Sequence, residues 1–156
     1  MEIGATKAVQ DRLKTTKIEE SKGASLVFCW DTHLTKIKGR NVLFIVNASN
    51  RYTLAMTDIE PRNWNYYTMY IRSVIHGVMQ EMGYSEDQIG QYFKMSGDTT
   101  VTKTHGRKSV GGINRMVMDA QYFGKKLEKE AKYQRELSEY LNRDICQPEG
   151  FDAYGN

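Results

Sequence analysis

A chain of 156 residues is long enough to bury the core of one ordinary domain and too short for two. Its 22 Lys and Arg against 19 Asp and Glu leave a net charge of +3, which tolerates an anionic partner without indicating a protein that coats nucleic acid. Two cysteines without metal-like spacing exclude a disulfide scaffold, and neither a signal sequence nor a membrane span is visible, so we expect a cytoplasmic protein with no membrane partner.

The N-terminal part of the sequence predicts a strand, a helix and then a meander. Residues 3–5 form a short strand, and Thr6 precedes a helix that carries Val9 and Leu13 on one side. Three alternating or wholly apolar runs separated by turn sequences follow within residues 26–57, which predicts three antiparallel strands. Those runs are residues 26–30, 42–46 and 52–57.

The rest of the chain is predicted to be mainly helical. Apolar residues at helical spacing indicate a helix over 64–82 that ends at Gly83, and Ser85 opens a shorter one. A β-branched strand over 99–104 precedes another helical pattern that begins at Lys108.

A last helix, over residues 125–143, has an apolar seam that could dock on the domain or on a second copy of the chain, so a homo-oligomer stays open. The sequence predicts one α+β domain over residues 1–146: a single antiparallel meander sheet with helices packed on it, and this helix as a C-terminal addition. Residues 147–156 contain proline and glycine, which predicts a flexible tail.

The strongest candidate site is the junction between the strand over 99–104 and the helix after it. Free N–H groups and the positive end of the helix dipole favour an anion there. Gly111 and Gly112 would allow a ligand to approach closely, or equally would let the helix pack tightly on the sheet. Four residues of the junction have side chains suited to phosphate: Lys103, Thr104, Arg107 and Ser109.

A second basic stretch lies in the predicted meander, where no acidic residue occurs between Thr32 and Thr57. Lys36, Lys38 and Arg40 alternate and so point from one face of a hairpin. This face is either ordinary solvated surface, or a border of the same anion site, or a basic surface that meets an acidic protein partner.

Acid–base and metal chemistry find less support in the sequence. His33 and His105 are the candidates for a general base in an enzyme acting on a phosphodiester. The histidines, cysteines and carboxylates show no metal-ligand spacing, so the sequence predicts neither a metal nor a cofactor.

Short motifs follow one another along the chain in a characteristic order. They are Thr6-Lys7 before the first helix, Trp30-Asp31-Thr32-His33-Leu34, Gly39-Arg40-Asn41, Asn47, Arg51-Tyr52, Thr102-Lys103-Thr104 and residues 107–114. Over roughly residues 3–123 the chain thereby resembles a family of small bacterial and phage proteins of unknown function, whose domain is also attached to plasmid ORF-3-like domains. Where that family has Trp-His-Ala-Asn-Leu, the histidine here is displaced to His33, which argues against a catalytic histidine at that place. The resemblance implies no activity; it implies that the motifs converge on one pocket.

We therefore expect a binding module, rather than an enzyme, that captures a nucleotide or nucleic-acid phosphate. Arg107 and Lys103 would pair with the charge, and Trp30 or Tyr52 would stack on a base. In a phage, such capture would interfere with host nucleotide signalling or nucleases. The alternatives are an inhibitor or adaptor that binds a host protein, and the phosphodiester enzyme. The predicted ligand site consists of Trp30, Arg40, Asn47, Tyr52, Lys103, Thr104, Arg107, Ser109 and Asn114.

Overall fold

The computed structural model describes residues 1–14 and 16–143, which form five strands, six α-helices and a 3-10 turn at Leu26–Phe28. The strands are β1 (Glu2–Ala5), β2 (Cys29–Ile37), β3 (Arg40–Asn47), β4 (Thr53–Thr57) and β5 (Thr100–Lys103). The helices are α1 (Lys7–Arg12), α2 (Pro61–Asn65), α3 (Tyr67–Glu81), α4 (Glu86–Ser96), α5 (Gly106–Gln121) and α6 (Arg135–Asn142). The tail predicted over 147–156 lies outside the described residues.

The fold is α+β, but the prediction of a single antiparallel meander sheet is wrong. The five strands lie in the order β4-β3-β2-β1-β5, and β1 runs parallel to both of its neighbours, β2 and β5. Only the pairs β2–β3 and β3–β4 are antiparallel. The chain leaves β1 through α1 before it enters β2, and it passes through α2 to α4 before it enters β5. Such long crossover connections bring strands together in parallel, whereas tight turns give antiparallel pairs.

Helices cover both faces of the sheet. On one face α1 to α3 pack on side chains such as Ile3 and Ile45, and on the other α5 and α6 pack on Phe44 and Val46. The run at 42–46 is apolar at every position because both faces of β3 are covered. No helix in the described part of the chain has the length and apolar character needed to cross a membrane.

The outer edge of β4 is covered by α6 and the residue that precedes it. The N–H of Gln134 donates to the carbonyl of Ala55 at 2.9 Å, and the Ser138 hydroxyl accepts from the Ala55 N–H at 3.1 Å. The Asn142 side chain pairs with both backbone groups of Thr53 at 2.8 Å. These contacts satisfy an edge that would otherwise be open to pairing with another strand. The helix predicted over 125–143 is thus shorter than expected, since it begins at Arg135, and it docks on the domain.

Candidate functional site

A cleft of about 500 Å³ opens between α5 and the turn that joins β3 to β4. Side chains of Val46, Met116 and Leu141 make part of its lining apolar. Residues of α5 line it at helical spacing, so one side of that helix forms a wall. The polar residues of the lining are Asn47, Ser49, Arg51, Thr53, His105, Lys108, Ser109, Arg115 and Asp119.

Three of these lining residues are cations: Arg51, Lys108 and Arg115. Within the described ranges, the charged groups of all three lack a hydrogen bond or ion pair to another residue. The one carboxylate of the lining, Asp119, is also unpaired there. Guanidinium and ammonium groups that have no internal partner are free to bind an anionic ligand.

The turn that carries Arg51 is held by Asn47. The side-chain oxygen of Asn47 accepts from the N–H groups of Ser49 at 2.9 Å and Asn50 at 3.2 Å, and its amide donates to the Val27 carbonyl at 3.1 Å. Arg51 itself has φ of 64°, in the left-handed region that residues other than glycine seldom adopt. The turn therefore presents Arg51 to the cleft from a fixed and strained backbone.

A buried polar cluster anchors the start of α5 beside this cleft. Asp31, which is fully buried in β2, accepts from the His105 N–H at 3.3 Å, from His105 Nδ1 at 2.6 Å and from the Ser109 hydroxyl. A carboxylate at a helix N-terminus satisfies free N–H groups and complements the helix dipole. Asp31 therefore fixes where α5, and with it one wall of the cleft, begins.

Glu2 in β1 completes the cluster from the other side of His105. One of its oxygens accepts from His105 Nε2 at 2.9 Å and from the Ser21 hydroxyl at 2.6 Å, and the other accepts from the Lys22 N–H at 2.8 Å. Burial disfavours the charged forms of both Glu2 and His105, but the hydrogen bonds outweigh this effect. The bonds from Ser21, His105 and Lys22 lower the pKa of Glu2 to about 2. The bonds of His105 to Asp31 and Glu2 raise its pKa to about 11. His105 is thus held as an imidazolium at neutral pH, between the side chains of Asp31 and Glu2.

Of the nine residues predicted for the ligand site, two line the cleft: Asn47 and Ser109. His105, which was predicted only as a candidate base, lines it as well. Two neighbours of the same junction do not. Lys103 is paired with Glu20 at 2.9 Å, and Thr104 packs beside Gly4. Arg107 and Asn114 are exposed residues of α5 and are not part of the lining.

The aromatic residues predicted to stack on a base lie on the opposite face of the sheet. Trp30 belongs to the core under α1 to α3 and donates from Nε1 to the Tyr92 hydroxyl at 2.9 Å. Tyr52 packs against that same core. The described residues that line the cleft include no Phe, Tyr or Trp.

Arg40 lies at the far end of β3 from the cleft. It begins the strand that Asn47 ends, and seven residues of extended chain span about 23 Å at ~3.3 Å per residue. Its guanidinium binds the Asp58 carboxylate at 2.9 Å and the Glu128 carbonyl at 2.9 Å. Arg40 and Arg107 therefore do not meet in this cleft, although the motif order implied a shared pocket.

Four other residues line the cleft but were not predicted from the sequence: Arg51, Lys108, Arg115 and Asp119. One signal could have identified three of them, since Lys108, Arg115 and Asp119 lie seven and then four residues apart and so share one face of a helix. Arg51 is distant from these three residues in the sequence, and the β3–β4 turn brings it close to them in the fold.

A known protein family matches the chain. The family described as a domain of unknown function (DUF6933) matches residues 2–156, a longer stretch than the motifs cover and one that includes α6. No curated protein matches the chain, and no solved structure does.

Proposed function

We propose that this chain, which belongs to the DUF6933 family, binds a small phosphate-bearing molecule such as a nucleotide. The binding site is the cleft between α5 and the β3–β4 turn. The observation that carries the proposal is that three cations, Arg51, Lys108 and Arg115, converge on one cleft with a partly apolar lining and have no ion pair to any residue of ranges 1–14 and 16–143.

The size and lining of the cleft support a small organic anion. Its volume of about 500 Å³ falls in the range of small-molecule sites. The cations on α5 and the turn suit phosphate oxygens, and two of them offer the planar fork that bonds such oxygens in pairs. The apolar side chains, Val46 and Met116 among them, suit the uncharged part of a ligand, and the Asp119 carboxylate suits a hydroxyl or amino group.

Hydrolysis of a phosphodiester has less support. Both ring nitrogens of His105 already bond to carboxylates, so neither is free to take a proton from a nucleophile. His33 bonds through Nδ1 to the Thr6 hydroxyl at 2.8 Å and does not line the cleft. The alternative basic surface at residues 36–40 is weakened as well, because Arg40 is neutralised by Asp58.

Binding of nucleotides can be tested by thermal shift on the purified chain, with inorganic phosphate, nucleoside mono- and diphosphates, and cyclic nucleotides as probes. A probe at a hundred times its Kd should stabilise the fold by about 2.7 kcal/mol. The Arg115→Ala variant should lose most of this shift. Arg107→Ala removes the same charge from the same helix outside the cleft, and it should keep the shift.

Two results would contradict the proposal: no shift with any probe, or equal losses in Arg115→Ala and Arg107→Ala. Interference with host nucleotide signalling or nucleases in a phage or bacterial setting, and a cytoplasmic location, are finer predictions. The predicted interference depends on a nucleotide being bound.

A further inference from the structure

Three side chains of different chemistry meet beneath the start of α5. A carboxylate oxygen of Glu2, the sulfur of Cys29 and a ring nitrogen of His105 all lie within 4.8 Å of one another. Glu2 and Cys29 are buried, and only 5% of the His105 side chain is exposed. Carboxylate, thiolate and imidazole together are a donor set that suits zinc or a similar transition-metal ion better than magnesium or calcium.

The separations within this cluster are close to those of a tetrahedral ion. Bonds of about 2.0 to 2.3 Å place neighbouring ligand atoms roughly 3.3 to 3.8 Å apart. Glu2 Oε1 lies 2.9 Å from His105 Nε2 and 4.0 Å from the Cys29 sulfur. Shifts of a few tenths of an ångström would therefore bring these side chains to ligand positions.

The surroundings orient two of the three side chains as ligands. Asp31 holds His105 Nδ1 at 2.6 Å, which directs Nε2 towards Glu2 and reproduces the carboxylate–histidine–metal arrangement of protein zinc sites. The Ser21 hydroxyl and the Lys22 N–H fix the Glu2 carboxylate. Metal sites in proteins need such hydrogen-bonding partners in addition to the ligands, because the partners fix the orientation of the ligands.

From this geometry we infer that Glu2, Cys29 and His105 form a site for one divalent transition-metal ion of the zinc type. Three protein ligands leave a fourth position for water or a bound molecule. The inference goes beyond the proposed function, because none of the cleft cations takes part in it.

The test uses the purified full chain, stripped with a chelator and titrated with Co²⁺. We expect one Co²⁺ per chain, a thiolate-to-cobalt charge-transfer band, and loss of that band when Zn²⁺ displaces the cobalt. Absence of binding, or binding without the band, in the unaltered chain would overturn the inference, and neither result depends on how a variant folds.

Variants then assign the ligands. Cys29→Ser should abolish the band, whereas Cys146→Ser, which removes the only other cysteine, should keep it. Glu2→Gln retains both thiols and should weaken Co²⁺ binding at least tenfold. A band that persists in Cys29→Ser or disappears in Cys146→Ser would show that the site is not the one inferred here.

Discussion

Gly112 lies directly against the guanidinium group of Arg51, so closely that a Cβ built on Gly112 would stand 3.2 Å from both Cζ and Nη1. Gly112 is inside α5, where glycine costs about 1 kcal/mol relative to alanine. Because Gly112 has no side chain, the guanidinium group of Arg51 can reach the wall of the cleft from the β3–β4 turn.

The pair Gly112→Ala and Gly111→Ala tests this relationship. Both substitutions improve helix propensity, but a Cβ at Gly111 meets no atom within 4 Å. We expect Gly111→Ala to raise the free energy of unfolding by up to about 1 kcal/mol with no effect on ligand binding. Gly112→Ala should gain less stability than Gly111→Ala. It should also weaken nucleotide binding about tenfold, measured with the nucleotide that gives the largest thermal shift. Denaturant unfolding and ligand titration measure the two effects, and equal affinities in the two variants would contradict the role given to Gly112.

The backbone at Arg51 gives a second prediction. Because φ is 64°, Arg51→Gly removes both the cation and the strain, while Arg51→Ala removes the cation alone. Both variants should lose nucleotide binding to the same extent. In urea unfolding the glycine variant should be more stable than the alanine variant by about 1 kcal/mol. Equal stabilities would mean that the left-handed conformation carries no strain, and undiminished binding would place the ligand elsewhere.

The positions of most helices and strands could be predicted from the sequence because they follow local patterns. The strand before Thr6, the run at 42–46 and the helix after Ser85 all lie where the apolar spacing indicates. Strand pairing is different, since it depends on residues far apart in the chain. Nothing near residues 2–5 shows that this segment lies between β2 and β5, and it is this placement that makes the sheet mixed.

The candidate site shows the same division between local and distant contacts. Ser109 and His105 were predictable because a strand-to-helix junction concentrates polar groups. The carboxylate partners of His105 were not, since Asp31 and Glu2 lie 74 and 103 positions away in the sequence. Arg40 and Arg107 were predicted from residue type and local position in the sequence. Neither shows that Asp58 pairs with Arg40 or that Arg107 faces solvent.

The third prediction concerns Gly4 in β1. A Cβ at this position would overlap the carboxylate of Asp31 and come within 3.1 Å of the Thr104 Cα, so backbone or a buried charge would have to move. We expect Gly4→Ala to lower the free energy of unfolding by about 2 to 3 kcal/mol. As a control, a Cβ at Gly90 in α4 meets no atom within 4 Å, and Gly90→Ala should be neutral or stabilising. If Gly4→Ala were as stable as the parent chain in urea, the close packing of β1 against Asp31 would be wrong.

The fourth prediction concerns the contribution of Asp31 to the free energy of unfolding, since this residue anchors α5. Its carboxylate accepts from three donors, and removing its charge would leave the His105 imidazolium with Glu2 as its one carboxylate partner among the described residues. Breaking a buried pair typically costs 3 to 5 kcal/mol, so Asp31→Asn should lower the free energy of unfolding by about 3 kcal/mol. Ser109→Ala removes a single hydrogen bond and should cost about 1 kcal/mol.

The matched control is Asp58→Asn, which removes an equal charge from the exposed pair with Arg40 and should change stability by less than about 0.5 kcal/mol. Urea unfolding with a chelator present measures all three variants on the same metal-free state. Since α5 forms one wall of the cleft, Asp31→Asn should also weaken nucleotide binding, whereas Asp58→Asn should not. An Asp31→Asn variant as stable as Asp58→Asn would mean that α5 is held by its apolar contacts, such as Ile113 and Met116, and that the buried carboxylate does not position the cleft.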